Sequence, residues 1–167
     1  TNSTESMKWL ARAGLHTVVH YQSMPVIRGL FDLYQRLWNE HRDDAQRLNG
    51  HVTEPIYGIS RHVYIGNTDA AAWEEAKAAL ADFNENTGYL QSRRGDNKRK
   101  DYLNDFEARR AEGLYIAGSA DSVREQVKQH LEITGSNYFV ASFAFGNLSH
   151  EQAMNSLRLF AQDIMPA

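Results

Sequence analysis

The stretch Ser142-Phe143-Ala144-Phe145-Gly146-Asn147-Leu148-Ser149-His150-Glu151-Gln152-Ala153, running on to Phe160-Ala161-Gln162-Asp163-Ile164-Met165-Pro166-Ala167, decides the fold class. An apolar run over 138–145 reads as a strand and stops at Gly146-Asn147. Ser149 and Gln152 stand three apart, the spacing of a capping box, in which each side chain satisfies a free backbone N–H of the other's turn. The helix that follows presents Ala153, Leu157, Phe160 and Ile164 as an inner face, and Pro166 ends it. This is one strand-helix unit of an α/β protein.

The same unit recurs upstream. Thr4 to Ala13 reads as a helix capped by Ser3 or Thr4 and ended by Gly14. Residues 15–21 form a β-branched strand. Pro25 suits a first helical turn, Val26, Leu30, Leu33 and Leu37 recur at helical spacing, and Gly50 closes that region. A second strand covers 56–65 and leaves through Gly66-Asn67. Thr68 caps a helix with Trp73, Ala76, Leu80 and Phe83 on one face. Ala117-Gly118-Ser119 leads into a helix carrying Val123, Val127 and Leu131, which Gly135 stops. Three strands alternate with helical crossovers, and such crossovers join parallel strands. Residues 85–113, rich in Arg, Lys, Asp and Asn, break the pattern and read as a long excursion, helical in part over 102–111.

Bulk composition bounds the function. The 167 residues give room for one domain with a core of its own, with 42% hydrophobic and 23% charged residues. A formal charge of -3 disfavours nucleic acid as a partner. No apolar run approaches the ~18 residues of a membrane span, and no signal peptide is visible. The absence of cysteine removes disulfide and thiolate chemistry and fits a cytoplasmic setting. The chain opens at Thr1 in what reads as a loop-to-helix junction, so the expectation is the C-terminal part of something longer.

Three segments beside the ending carry a family resemblance. They are Thr1-Asn-Ser-Thr-Glu-Ser-Met-Lys-Trp-Leu-Ala-Arg-Ala-Gly-Leu15, Ile59-Ser-Arg-His-Val-Tyr-Ile-Gly-Asn-Thr-Asp-Ala-Ala-Ala-Trp73 and Ala117-Gly-Ser-Ala-Asp-Ser-Val-Arg124. In order and spacing the set resembles the luciferase-like flavin monooxygenases, the superfamily of bacterial luciferase and alkanesulfonate monooxygenase. The resemblance implies the C-terminal part of a (β/α)8 TIM barrel, from the turn after strand five to helix eight, with strands one to five not in this chain. It also implies reduced FMN, supplied by a separate reductase, and O2 as reactants that oxygenate a small organic substrate. Members using the deazaflavin coenzyme F420 for hydride transfer are the neighbouring alternative. So is an inactive barrel fragment that self-associates or pairs with the missing half.

The candidate site residues follow. Ser3 and Ser6 place two hydroxyls in the first turn of a helix, whose free N–H groups favour anions; plain N-capping accounts for the same pattern. The resemblance assigns both to the flavin phosphate, with Asn2 beside them. It places Tyr21, at a strand end, near the flavin ring with Val18 next to it; an aromatic closing a strand is the plainer reading. It makes His62 the histidine facing the active site, where a buried core histidine is the alternative. Arg61 and His62 alternate faces, so only one can point inward. Ser60 stands where the sulfonate enzymes have an arginine, which disfavours a sulfonate substrate. His16 and His20 share a strand face, but no metal-binding motif accompanies them, and no metal is expected. The basic run Arg93, Arg94, Lys98, Arg99 and Lys100 reads as a mobile lid, a nucleic-acid patch or a solvated loop. Gly118-Ser119 before a helix is a second possible anion site, or a cap.

Overall fold

Helix α1, Thr4–Ala13, starts and stops where its caps dictate. Ser3 is extended and its Oγ accepts the Ser6 N–H, while Gly14 turns left-handed (φ 75°) and closes the last turn onto the Ala11 and Leu10 carbonyls. The computed structural model describes residues 2–165, so the readings placed on Thr1 and on the Pro166 stop lie outside the described residues. The chain divides into two units, Thr1–Arg61 with Lys128–Val140, and His62–Val127 with Ala141–Ala167.

In the first unit, α1 is followed by strand β1 (Thr17–His20), helix α2 (Met24–Glu40) and the first residues of strand β2 (Tyr57–Ile65). β1 and β2 are parallel, with Thr17 opposite Tyr57 and His20 opposite Ser60. Alternation along β1 sends Thr17 and Val19 into the interior and leaves Val18 and His20 on the other face. The core joins Met7 and Ala11 of α1, Val19, Ile59, and Ile27, Phe31, Tyr34 and Trp38 of α2. Burial of each large apolar side chain contributes roughly 1.5–3 kcal/mol relative to exposure. Tyr34 adds a hydrogen bond from its hydroxyl to the Leu15 carbonyl (2.7 Å). Val26 is 48% exposed, contrary to the expected stripe. The buried face runs through Ile27, Leu30, Phe31, Tyr34 and Trp38, because rotating it one residue seats the large aromatic side chains.

In the second unit, helix α3 (Asp69–Arg93) begins at the Thr68 cap, whose hydroxyl accepts the Ala71 N–H. It runs 25 residues, well past the expected break at residue 85. Nothing in 85–93 stops it: there is no proline, and Gly88 is buried with Lys100 packed over it. Helices α4 (Lys98–Asn104) and α5 (Phe106–Ala111) follow, so most of the charged segment is helical rather than a loop. Its charges are paired locally, Lys100 with Glu85 (3.0 Å) and Arg109 with Glu112 (2.9 Å). Leu103 of α4 joins Trp73, Ala76, Leu80, Tyr64, Tyr115 and Phe145 in the core.

Strand β3 (Tyr115–Gly118) corrects the count of three strands to four among the described residues. It pairs in parallel with β2, from His62 opposite Tyr115 to Ile65 opposite Gly118. Its four residues lead directly into helix α6 (Ala120–Thr134) and carry no strand signal longer than that. Strand β4 (Tyr138–Ser142) also pairs with β2, and the sheet is not closed into a barrel by the described strands. β4 is shorter than the 138–145 expected, since Phe145 leaves the strand to join the core. Helix α7 (His150–Leu159) has the capping box of Ser149 and Gln152 and continues into a π-helical turn, Phe160–Ile164. Its buried face carries Ala153, Ser156 and Ile164, whereas Leu157 is 40% exposed. Ser156 takes the inner place because its hydroxyl accepts the Ile65 backbone N–H (2.9 Å).

Candidate cofactor and active site

The first unit gathers the residues expected to hold a cofactor. The Ser3 hydroxyl donates to Ser6 Oγ (2.8 Å) and accepts the Ser6 N–H (3.2 Å), so both hydroxyls stand at the positive end of α1. Ser3 is exposed and Ser6 half-buried, which leaves the pair open to a ligand. Glu5, in the same turn, is held below its ordinary pKa by its bond to Lys8 (2.7 Å), so its charge is locally offset. The capping reading is therefore met, and the hydroxyls remain presentable to an anion.

Asn2 ties this helix end to the strand. Its Oδ1 accepts the His20 backbone N–H (3.3 Å), placing residues 2–6 beside the C-terminal end of β1. Tyr21 comes next, half-buried, with its ring edge-on to the His20 ring at 5.1 Å. Tyr21 has φ 54°, the one left-handed non-glycine backbone among the described residues. An aromatic residue in that region is strained, and such strain concentrates at functional sites. Val18 lies on the same strand face as His20, away from the α1 and α2 core.

Arg61 is 2% exposed, yet no acidic side chain pairs with it among the described residues. Its Nη1 donates to the Ser60 carbonyl (3.1 Å) and its Nη2 to the Gln22 carbonyl (3.0 Å). Burial lowers its pKa to about 10, which leaves it cationic at neutral pH. Sequence reasoning treated Arg61 only as the alternative to His62. Its bond to Gln22, across 39 positions, has no local signal.

His62 lies in the second unit. Its ring sits 4.6 Å from both the Phe83 and Phe145 rings. Burial in this aromatic slot lowers its pKa to about 4, so the imidazole is neutral at pH 7. A neutral ring offers one donor and one acceptor and no charge. Close by, the Tyr64 hydroxyl donates to Glu75, which also accepts from Gln152 Nε2 (3.1 Å). Desolvation, with Glu75 second, raises the Tyr64 pKa to about 12.

Of the two readings of Gly118-Ser119 the cap is met, since Ser119 Oγ accepts the Ser122 N–H (3.4 Å), and the anion place is filled from within. The Asp69 carboxylate accepts the Ser119 N–H (2.7 Å) and the Ser122 hydroxyl (2.8 Å) at the start of α6. A Cβ on Gly118 would stand 2.9 Å from Asp69 Oδ1, so glycine leaves the room that carboxylate uses. His16 donates to no metal cluster; its Nδ1 accepts the Ile56 N–H (2.9 Å), and no group of metal-ligating side chains occurs among the described residues. No described helix is long and apolar enough to cross a membrane.

Comparison with known proteins fits this architecture. At 99% coverage of the chain, the structure of the monooxygenase RslO1 from Streptomyces bottropensis superposes with a TM-score of 0.66 and 17% identity. The oxygenating constituent of 3,6-diketocamphane monooxygenase from the CAM plasmid of Pseudomonas putida, solved with FMN, gives 0.64 and 18% at the same coverage. The coenzyme F420 dependent tetrahydromethanopterin reductase of Methanopyrus kandleri gives 0.61 and 14%, again at 99%. The chain spans 46%, 46% and 49% of these three proteins, about half of each. None of the curated proteins matches. A family profile described as luciferase-like monooxygenase matches residues 1–137, and the chain belongs to the luciferase-like monooxygenase family.

Proposed function

We propose that this chain carries the phosphate end of a flavin site in a monooxygenase that uses reduced FMN and O2 to oxygenate a small organic substrate. One observation supports it most. The Asn2 bond to His20 joins two hydroxyls on a helix N-terminus, one exposed and one half-buried, to a strand end bearing a strained tyrosine. That juxtaposition suits a ligand with an anionic group and a flat ring.

Ser3 and Ser6 would donate to the phosphate, with the positive end of α1 behind them. Tyr21 would meet the ring, with Val18 beside it. When bound, reduced FMN supplies the electrons for oxygen activation. The residues bind, orient and exclude water. His62, neutral in its aromatic slot, would face the substrate and exchange a hydrogen bond with it. The reduced flavin would come from a separate reductase.

The remaining strands of a barrel would come from another polypeptide segment or a second copy of the chain. Support for this is that the solved structures run to about twice the length matched, and that Tyr138 on β4 is half exposed. Light scattering at micromolar concentration is expected to show association; a monomer with a cooperative melt contradicts that part.

F420 is the second reading, supported by the likeness to an F420 dependent reductase. Parallel titrations with FMN, riboflavin and F420, on the wild-type chain and on Ser3→Ala/Ser6→Ala, test the assignment. FMN above riboflavin, with the difference lost in the variant, supports the phosphate site. Tighter binding of F420 than FMN moves the cofactor to F420.

A further inference from the structure

We infer that Arg61 and Asn2 act as a two-sided backbone clamp that holds Tyr21 in its left-handed conformation, making Arg61 a positioning residue for the ring contact. The inference rests on the flavin reading for its purpose, but on geometry for its existence. Asn2 Oδ1 takes the N–H of His20, the residue before Tyr21 (3.3 Å). Arg61 Nη2 gives to the carbonyl of Gln22, the residue after it (3.0 Å). Between those two bonds lies φ 54°.

A left-handed tyrosine persists only where its surroundings over-determine it, because the Cβ clashes with the backbone in that region. The two bonds supply that determination from both sides. They also explain a costly feature. A buried guanidinium without a carboxylate is unfavourable, and Arg61 keeps its Nε without a partner as well. A residue serving packing alone would be replaced by an apolar side chain at less cost. A planar fork reaching two carbonyls, on β2 and beyond β1, is something lysine cannot copy.

The consequence is a division of labour. Ser3 and Ser6 meet the ligand, while Arg61 and Asn2 touch only backbone and set the angle at which the Tyr21 side chain leaves the strand.

Hydrogen exchange by NMR on the whole chain tests the clamp without any ligand. Arg61→Lys should accelerate exchange at the His20 amide, whose N–H is held by Asn2, by about tenfold or more, leaving Phe31 and Tyr34 of α2 unchanged. Asn2→Ala, which removes the acceptor, should do the same at His20. Tyr21→Gly, which removes the Cβ clash, should raise the melting temperature of the wild-type chain and raise it less in the Arg61→Lys background, where the turn is already free to relax. Arg61→Met serves only if it folds; Lys and Asn2→Ala suffice otherwise. Uniform acceleration across the first unit, or none at His20, overturns the clamp. Local acceleration together with unaltered Asn2–Met7 amides on adding FMN leaves the clamp standing and removes the flavin reading.

Discussion

The carboxylate of Asp69, at the start of α3, accepts the backbone N–H of Ser119 at 2.7 Å and so fixes the capping residue of a helix fifty positions away. It also takes the Ser122 hydroxyl. The backbone N–H of Ser119 is the first cause of its lowered pKa, with the Ser122 and Ser119 hydroxyls next. Asp69→Ala is expected to lower the melting temperature by roughly 2–5 °C, the effect of losing a cap. Because the folded pKa is depressed, the contribution is full above the ordinary 3.8 and is lost as pH falls below it. A melt unchanged by the substitution at pH 7 contradicts that role. Added phosphate is not expected to rescue the wild-type protein at this helix, since its anion place is taken.

His62 predicts a different pH window. Burial lowers its pKa from 6.5 to about 4, so folding favours the neutral ring. Stability is full above pH 6.5 and declines as pH falls towards 4, by on the order of 3 kcal/mol in all. Urea unfolding at pH 7 and pH 4.5 checks this. His62→Phe should flatten that part of the dependence while keeping the packing against Phe83 and Phe145. An equal loss in both proteins places the titration elsewhere.

Ser156 gives a buried hydrogen-bond test. It has no exposure, and its hydroxyl is the acceptor for the Ile65 N–H in β2. Ser156→Ala leaves that donor without its partner and should cost about 1–3 kcal/mol by denaturant unfolding. Neutral behaviour means another acceptor replaces it.

Gly146 tests the stop of the third sequence-read strand. Its φ is 56°, and a Cβ there would collide with the Ala79 carbonyl of α3. Gly146→Ala should destabilise by more than about 3 kcal/mol, whereas Gly95→Ala, also left-handed but in open space, should cost only the conformational strain.

What the sequence disclosed was local. Ser3 with Gly14, Thr68, and Ser149 with Gln152 were readable because a cap is made by residues within one turn of each other. β1, β2 and β4 were readable from β-branched and aromatic runs. β3 was not, because four residues carry little period and its partner is 53 positions away, as His62 with Tyr115 shows. The length of α3 was hidden by Glu85, Asn86 and Thr87, which are exposed on the helix, and by Gly88, which packs under Lys100. Ser3 and Ser6 were legible by spacing as a cap or an anion pair, and Asn2 entered by resemblance alone. Arg61 as the holder of Gln22, and Asp69 as the holder of the α6 capping residue, were not, since each depends on where distant backbone ends.

The proposed flavin phosphate site joins the N-terminus of α1 to the end of β1. The most direct measurement is an NMR titration of the chain with FMN and with riboflavin, which reads weak binding residue by residue. FMN is expected to shift the amides of Asn2 to Met7 and of Tyr21, riboflavin only the Tyr21 region, and Ser3→Ala/Ser6→Ala to abolish the difference. Equal responses to the two ligands, or shifts confined to other residues, would contradict the proposed site.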